Sequence, residues 1–226
     1  MRKTLFRGIQ KVPGIHLVEF VQFENFLVVI NPKVASRSII NEKILISGGD
    51  SSSHGQISNH TEYMSRTQFV EFSNGKRVFA FVRDPIQRIV SCWRQKVSLP
   101  DNCFRLGGQY FVTYYPFIRA GMSLEHFIRS ISSIPDWMSE KHFMSQSRLL
   151  MVDYVKYDAL FALDRFGDAV QHLCRLDERL SFNKISNVTD SREFAEKLPP
   201  DIINLITKRY RDDFLLFNNA MTSSIY

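Results

Sequence analysis

The stretch FLVVINPKVASRSII (Phe26–Ile40) reads as a strand, a tight turn and a helix start, and the rest of the fold follows from it. Phe26–Ile30 is a continuous apolar run of strand length, the pattern of a strand covered on both faces. Asn31-Pro32-Lys33 ends it, and Ser36–Ile46 continues as a helix with Ile39, Ile40 and Ile44 on one side. A second such unit follows. Asn74-Gly75 marks a turn, Arg77–Val82 (RVFAFV) is another buried strand, and Pro85 sits where a first helical turn tolerates it. Behind Pro85, Ile86, Ile89, Val90, Trp93 and Val97 form a stripe of period 3.6.

Further along, Ser123 caps a helix with Leu124, Phe127, Ile128 and Ile131 inward, and Tyr154–Tyr157 reads as a short strand. Ala162–Leu176 is amphipathic. Pro199 and Pro200 open a final helix carrying Ile203, Ile206, Tyr210 and Phe214. The Gly/Ser stretch at 47–55 reads as a mobile loop, and residues 98–122 as an aromatic, Gly-bearing loop. Alternation of strands and helices predicts one α/β domain over residues 1–226, a mainly parallel sheet flanked by helices.

Composition bounds the function. A chain of 226 residues with 44% hydrophobic and 13% aromatic content has a sizeable core and is neither disordered nor fibrous. Its net charge of +6 suits a polyanionic ligand. Cys92, Cys103 and Cys174 are odd in number and lack CxxC spacing, which implies reduced thiols with neither a zinc site nor a disulfide framework. The first twenty residues lack a long apolar run and no stretch is long enough to span a bilayer, so a soluble, cytoplasmic protein is expected. A lumenal domain cut from a Golgi-type anchor has the same appearance.

Two segments carry the candidate chemistry. The turn after the first strand aims backbone N–H groups and a helix dipole at one spot, where Lys33 adds a charge and Ser36 and Ser38 add hydroxyl donors. This describes a phosphate cradle outside the Walker type, since GxxxxGK[ST] is absent. It equally describes an ordinary βα turn with a Ser cap. In the second segment, FAFVRDPIQRIVSCWRQK (Phe79–Lys96), Arg83 ends the strand and Ser91 lies eight residues on, off the apolar stripe, so that the core need not bury it. Arg83 and Ser91 then either share a phosphate or are, respectively, half of a local ion pair with Asp84 and a surface residue.

PKVASRS after a strand, followed by VRDPxxRxxS, resembles the PAPS-dependent sulfotransferase superfamily (PAPS being 3′-phosphoadenosine 5′-phosphosulfate). The likeness is greatest to the carbohydrate group that includes the heparan 2-O, chondroitin 4-O and HNK-1 enzymes. It extends to an HxxxQ element at His142 and Gln146, to a strand–acidic–helix segment at Tyr157-Asp158, and to a YxxDxxxF pattern at Tyr210, Asp213 and Phe217. The resemblance implies a sulfotransferase architecture related to the P-loop NTPases. It assigns the loop Lys33, Val34, Ala35, Ser36, Arg37 and Ser38 to the 5′ end of the cofactor, and Arg83 and Ser91 to its 3′-phosphate. Arg37 departs from the pattern, which carries Thr or a small residue there.

The implied reaction is in-line transfer of a sulfuryl group to a carbohydrate hydroxyl. Negative charge builds on the leaving phosphate, where Lys33 and the helix-start N–H groups would meet it. No metal is required, and no convincing ligand cluster is present. A general base is required, and histidine serves near neutral pH. Of His16, His54, His60, His126, His142 and His172, the candidates are His60, 23 residues before Arg83, and His142, with His54 and Glu62 behind them. Arg105, Tyr110, Tyr114 and Tyr115 form either an acceptor platform or a loop tucked on the core.

The main alternative is a non-catalytic module that holds a nucleotide or nucleic acid in the same cradle. No RNP, KH or zinc-finger signature supports nucleic acid as a partner. A nucleotide kinase with an eroded P-loop is disfavoured by the missing Gly-Lys-Ser/Thr.

Overall fold

A computed structural model describes residues 16–50, 59–98, 115–182 and 192–223. The strands are β1 (Val18–Gln22), β2 (Phe26–Val29), β3 (Glu62–Met64), β4 (Arg77–Val82) and β5 (Ala159–Ala162). They form one sheet in the order β3-β1-β2-β4-β5. β2, β4 and β5 are mutually parallel, and β1 is antiparallel to both β2 and β3. Four of the five strands therefore run the same way, as the alternating pattern predicts, with β1 the reversed strand.

The helices are α1 (Ser36–Ile46), α2 (Arg66–Ser73), α3 (Pro85–Lys96), α4 (Leu124–Ser132), α5 (Gln146–Leu150), α6 (Phe166–Leu176), α7 (Arg192–Glu196), α8 (Pro200–Arg209) and α9 (Arg211–Thr222). Residue alternation along the strands explains why the sheet is apolar on both faces. Phe26, Val28, Phe79, Phe81 and Phe161 pack on one face with Ile39, Ile40 and Ile44 of α1 and Ala169 and Leu173 of α6. Leu27, Val29, Val78, Ala80 and Val82 pack on the other with Phe69 of α2, Leu150 of α5 and Ala220 of α9. A third cluster joins α3, α4 and α8 through Ile89, Val90, Phe127, Ile128, Ile131, Ile202 and Ile206. Each such Phe or Ile, fully buried, contributes about 1.5–3 kcal/mol.

Local end signals hold where the sequence places them. Pro85 is the first residue of α3, and Asp84, which the sequence offered only as an ion-pair partner of Arg83, caps that helix by accepting from Gln87 N at 2.9 Å. Ser123 caps α4. Gly75 turns the chain into β4 with φ of 75°, a value that costs glycine nothing. The unannounced helix α2 opens with a capping box in which Ser65 and Gln68 satisfy each other's backbone N–H groups.

Two expectations are corrected. The strand is Ala159–Ala162, not Tyr154–Tyr157. Met151 ends α5 with φ of 51°, and the chain turns through Tyr154, which is 73% exposed. Pairing with β4 begins only when Asp158 N donates to Val78 O at 2.8 Å and Asp158 Oδ2 accepts from Val78 N at 2.8 Å. The amphipathic helix consequently starts at Phe166, after a single 3-10 turn over Leu163–Arg165. The final helix is two helices, broken at Tyr210, whose φ of −111° and ψ of 30° leave the helical region. Most of the Gly/Ser stretch and of the aromatic loop (51–58 and 99–114) lies outside the described residues.

Candidate active site

The parallel strands β2 and β4 both end at one edge of the sheet, and the two motif segments leave from there. At the end of β2, Asn31 is buried, and its Nδ2 donates to Phe81 O (3.0 Å) and to Gln146 Oε1 (2.8 Å). The next turn places Lys33 (φ 73°) and Ala35 (φ 51°) in the left-handed region on either side of buried Val34. Each such residue without a glycine costs about 1–2 kcal/mol, so the surrounding contacts must enforce the shape. Ala35 is the N-cap of α1, and no side chain accepts a hydrogen bond there. A left-handed turn running into a helix start without a capping side chain directs N–H dipoles outward, the arrangement that favours an anion. Ser36 and Arg37 are half-buried at this mouth, whereas Ser38 is buried.

The walls are cationic. Lys33 Nζ donates to Gln95 Oε1 on α3 at 2.8 Å. Burial first, and then the charges of Lys96, Arg83 and Arg88, push its amine down to about 8, with Cys92 acting the other way. Lys96 is lowered as well, chiefly by burial. Arg83, at the end of β4 and nearly buried, donates from Nη1 to Lys33 O at 3.3 Å. Gln146 clasps the Arg83 backbone, accepting from its N–H (3.0 Å) and donating to its carbonyl (2.8 Å).

Ser91 is 1% exposed, so a position that the apolar stripe did not require to be buried is buried all the same. The face of α3 that carries it also carries Arg88, three residues earlier, and other segments cover that face. Arg88, itself 1% exposed, donates to Pro32 O of the cradle (3.2 Å), Met144 O (2.6 Å) and Lys141 O (3.1 Å). One guanidinium thereby joins the cradle to the 141–144 segment. Sequence reasoning gave no role to Arg88, although it stands in the VRDPxxRxxS motif, and passed over Gln95, Lys96 and Glu140. Arg88 had a signal, since its i, i+3 spacing puts it on the same helix face as Ser91.

His142 lies in this joined segment. Its ring Nδ1 is 2.8 and 2.9 Å from the two Glu140 carboxylate oxygens, and its backbone N–H donates to Glu140 Oε2 at 2.8 Å. Burial is the largest influence on the ring and lowers its pKa, outweighing the pull of Glu140. His60 goes elsewhere. It lines a cavity of about 360 Å3 with Phe23, Glu24, Lys43 and Arg179, beside the β1–β2 turn and so at the opposite end of β2 from the cradle. His16 Nε2 meets Trp137 O, His126 lies in the Ser123 cap of α4, and the His172 ring packs edge-on to Phe79. His54 lies outside the described residues.

Other sequence features acquire structural roles. Tyr115 is buried, with its hydroxyl donating to Met138 O, so it is core and not an open platform. Arg105, Tyr110 and Tyr114 lie outside the described residues. Tyr210 donates to Phe143 O at 2.6 Å, and Asp213 accepts from Gln146 N (2.7 Å) and Ser147 N (2.9 Å). The HxxxQ and YxxDxxxF elements are thus two halves of one bracket behind the cradle. Cys92 is buried and its thiol is pushed up to about 12 by that burial. Among the described residues there is no group of three metal-ligating side chains, and no helix is long and apolar enough to cross a membrane.

No curated protein and no solved structure matches the chain significantly. A protein-family model does, over residues 22–219, from the end of β1 into α9, and it describes the sulfotransferase family. A match that takes in the cradle, Arg83 and the bracket behind them covers far more than half of the 226 residues, and the chain belongs to the sulfotransferase family.

Proposed function

We propose that this sulfotransferase takes its sulfuryl group from PAPS and delivers it to a carbohydrate hydroxyl, with His142 as the general base. One observation carries the reading: a half-buried lysine amine, kept among Lys96, Arg83 and Arg88, at a left-handed turn that opens into a helix start without a capping side chain. These residues fit a polyphosphate. They supply several positive charges and oriented N–H dipoles; the neighbouring carboxylates are Glu140 near Lys96, Asp84 near Arg83 and Asp213 near Arg88.

In this reading Lys33, Val34, Ala35, Ser36, Arg37 and Ser38 surround the 5′ end, where PAPS supplies an activated sulfuryl group. Lys33 Nζ leaves Gln95 to meet the charge that develops on the departing phosphate. Arg83 and Ser91 take the 3′-phosphate, the role the resemblance assigns them, although both are buried. Arg88 contributes charge but no direct contact, since it is 1% exposed and three of its five N–H groups go to carbonyls. His142 takes the proton from the acceptor hydroxyl. His60, at the far end of β2, is left outside the chemistry.

Calorimetric titration with the product PAP tests the reading. The wild-type protein is expected to bind, and Lys33→Ala and Arg83→Ala each to weaken binding about 10–100-fold, the worth of one charge-assisted hydrogen bond. A wild-type protein that binds RNA with steep salt dependence and ignores PAP would defeat it in favour of a nucleic-acid module.

A further inference from the structure

We infer that Glu140 is a positioning residue for His142: its carboxylate holds the ring proton on Nδ1 and leaves the Nε2 lone pair to accept the proton of the attacking hydroxyl. The inference rests on His142 acting as the base. Its own support is geometric. Two groups of His142 converge on the same carboxylate, the ring Nδ1 at 2.8 and 2.9 Å and the backbone N–H at 2.8 Å. An ionised carboxylate only accepts hydrogen bonds, so Nδ1 must carry the hydrogen and a neutral ring is bare at Nε2. Backbone and side chain gripped by one partner also fix the orientation of the ring.

The residues around the pair keep it in this state. Burial opposes the charge on Glu140, yet the charge of His142 when it is protonated, its hydrogen bonds, and Lys141 beside them hold the carboxyl down to about 2. The cations facing His142 are Lys96 from α3 and Lys141 from its own segment, and both push the ring toward neutrality, as burial does more strongly. Lys141 is itself tied to β1, donating from Nζ to Glu19 Oε2 at 2.7 Å, while Glu19 Oε1 accepts from Tyr63 at 3.3 Å. Arg88 grips the carbonyls of Lys141 and Met144 on either side of His142. The pair is therefore braced from β1 and from α3, independently of any ligand. In the transfer step the proton passes from the acceptor oxygen to Nε2 and is released to solvent afterwards, while Glu140 stays ionised throughout.

Nitrogen NMR of the full chain carrying 15N-labelled histidine tests this, with His142→Asn identifying the ring's signals. In the wild type the neutral His142 ring is expected to be protonated on Nδ1 and bare at Nε2. Glu140→Gln is expected to mix or reverse the tautomer and to move the ring's titration to lower pH, because the negative charge that favoured imidazolium is gone. Glu140→Asp is expected to restore the wild-type tautomer. A wild-type ring protonated on Nε2 overturns the inference, and so does a Glu140→Gln ring with unchanged tautomer and midpoint. The wild-type tautomer alone decides the matter if Glu140→Gln fails to fold. A wild-type protein that binds no PAP defeats the cofactor reading and leaves these ring signals, and the inference about the pair, standing.

Discussion

Lys33 and Arg88 are both cations next to the cradle, and the structure employs them in opposite ways. Lys33 has a conditional charge, since burial and neighbouring cations bring its amine down to about 8. The protonated amine is the anion-binding form, and it is lost as pH rises through that value. PAP affinity is therefore expected to fall above about pH 8, approaching tenfold per pH unit, and to lose this limb in Lys33→Ala; calorimetry at several pH values checks it. Arg88 has a permanent charge spent on Pro32, Lys141 and Met144 carbonyls. Arg88→Ala leaves three acceptors without their donor and is expected to cost about 3–5 kcal/mol in urea unfolding. Arg88→Lys should recover only part of it, because an ammonium cannot reproduce the planar fork. Lys33 was legible in the sequence because it interrupts an apolar strand. Arg88 was legible as a motif residue on the face of Ser91 but not in its role, because nothing local says that this helix face would be covered.

At the scale of elements, α1, β4, α3 and α4 lie where their patterns put them, since apolar period, a Ser or Asp cap and Pro85 are all local signals. The segment around Tyr157 misled because its aromatic residues have strand propensity. Tyr157 instead spends its hydroxyl on Leu150 O at 2.6 Å, and the ladder begins two residues later. The corner between α8 and α9 is a comparable case. The pattern runs through Tyr210 without interruption, yet the tyrosine hydroxyl donates to Phe143 O and accepts from Arg209 Nε, and the helix breaks there. Tyr210→Phe removes both bonds and strands a buried carbonyl. It is expected to lower stability by about 1–3 kcal/mol, measured by urea denaturation, with no change of fold.

At the scale of the whole molecule, the site stands at the carboxyl ends of adjacent parallel strands, the edge where open α/β sheets hold their ligands. Four distant segments meet there. Asn31 reaches Gln146 across 115 residues, Gln146 clasps Arg83 across 63, and Asp213 holds the start of α5 across 67. A ligand in the cradle therefore contacts parts of the chain whose separation is part of global unfolding. PAP at about 100 times its Kd is expected to add about 2.7 kcal/mol, raising Tm by about 5–10 °C in a thermal scan. AMP, which lacks the 3′-phosphate, should raise it less at the same concentration.

The sequence by itself determined the α/β class, the two strand–turn–helix units and the family likeness, because each rests on patterns a few residues long. Strand pleat, helix period and cap chemistry act within one or two turns and are read directly from neighbouring residues. Only the tertiary structure decided which groups share the site. It reversed β1, buried Ser91, brought His142 and Glu140 to the Arg88-bound segment, and sent His60 to the other end of β2. Those outcomes depend on what packs against a face from far along the chain, and a residue's own neighbours in sequence carry no record of that.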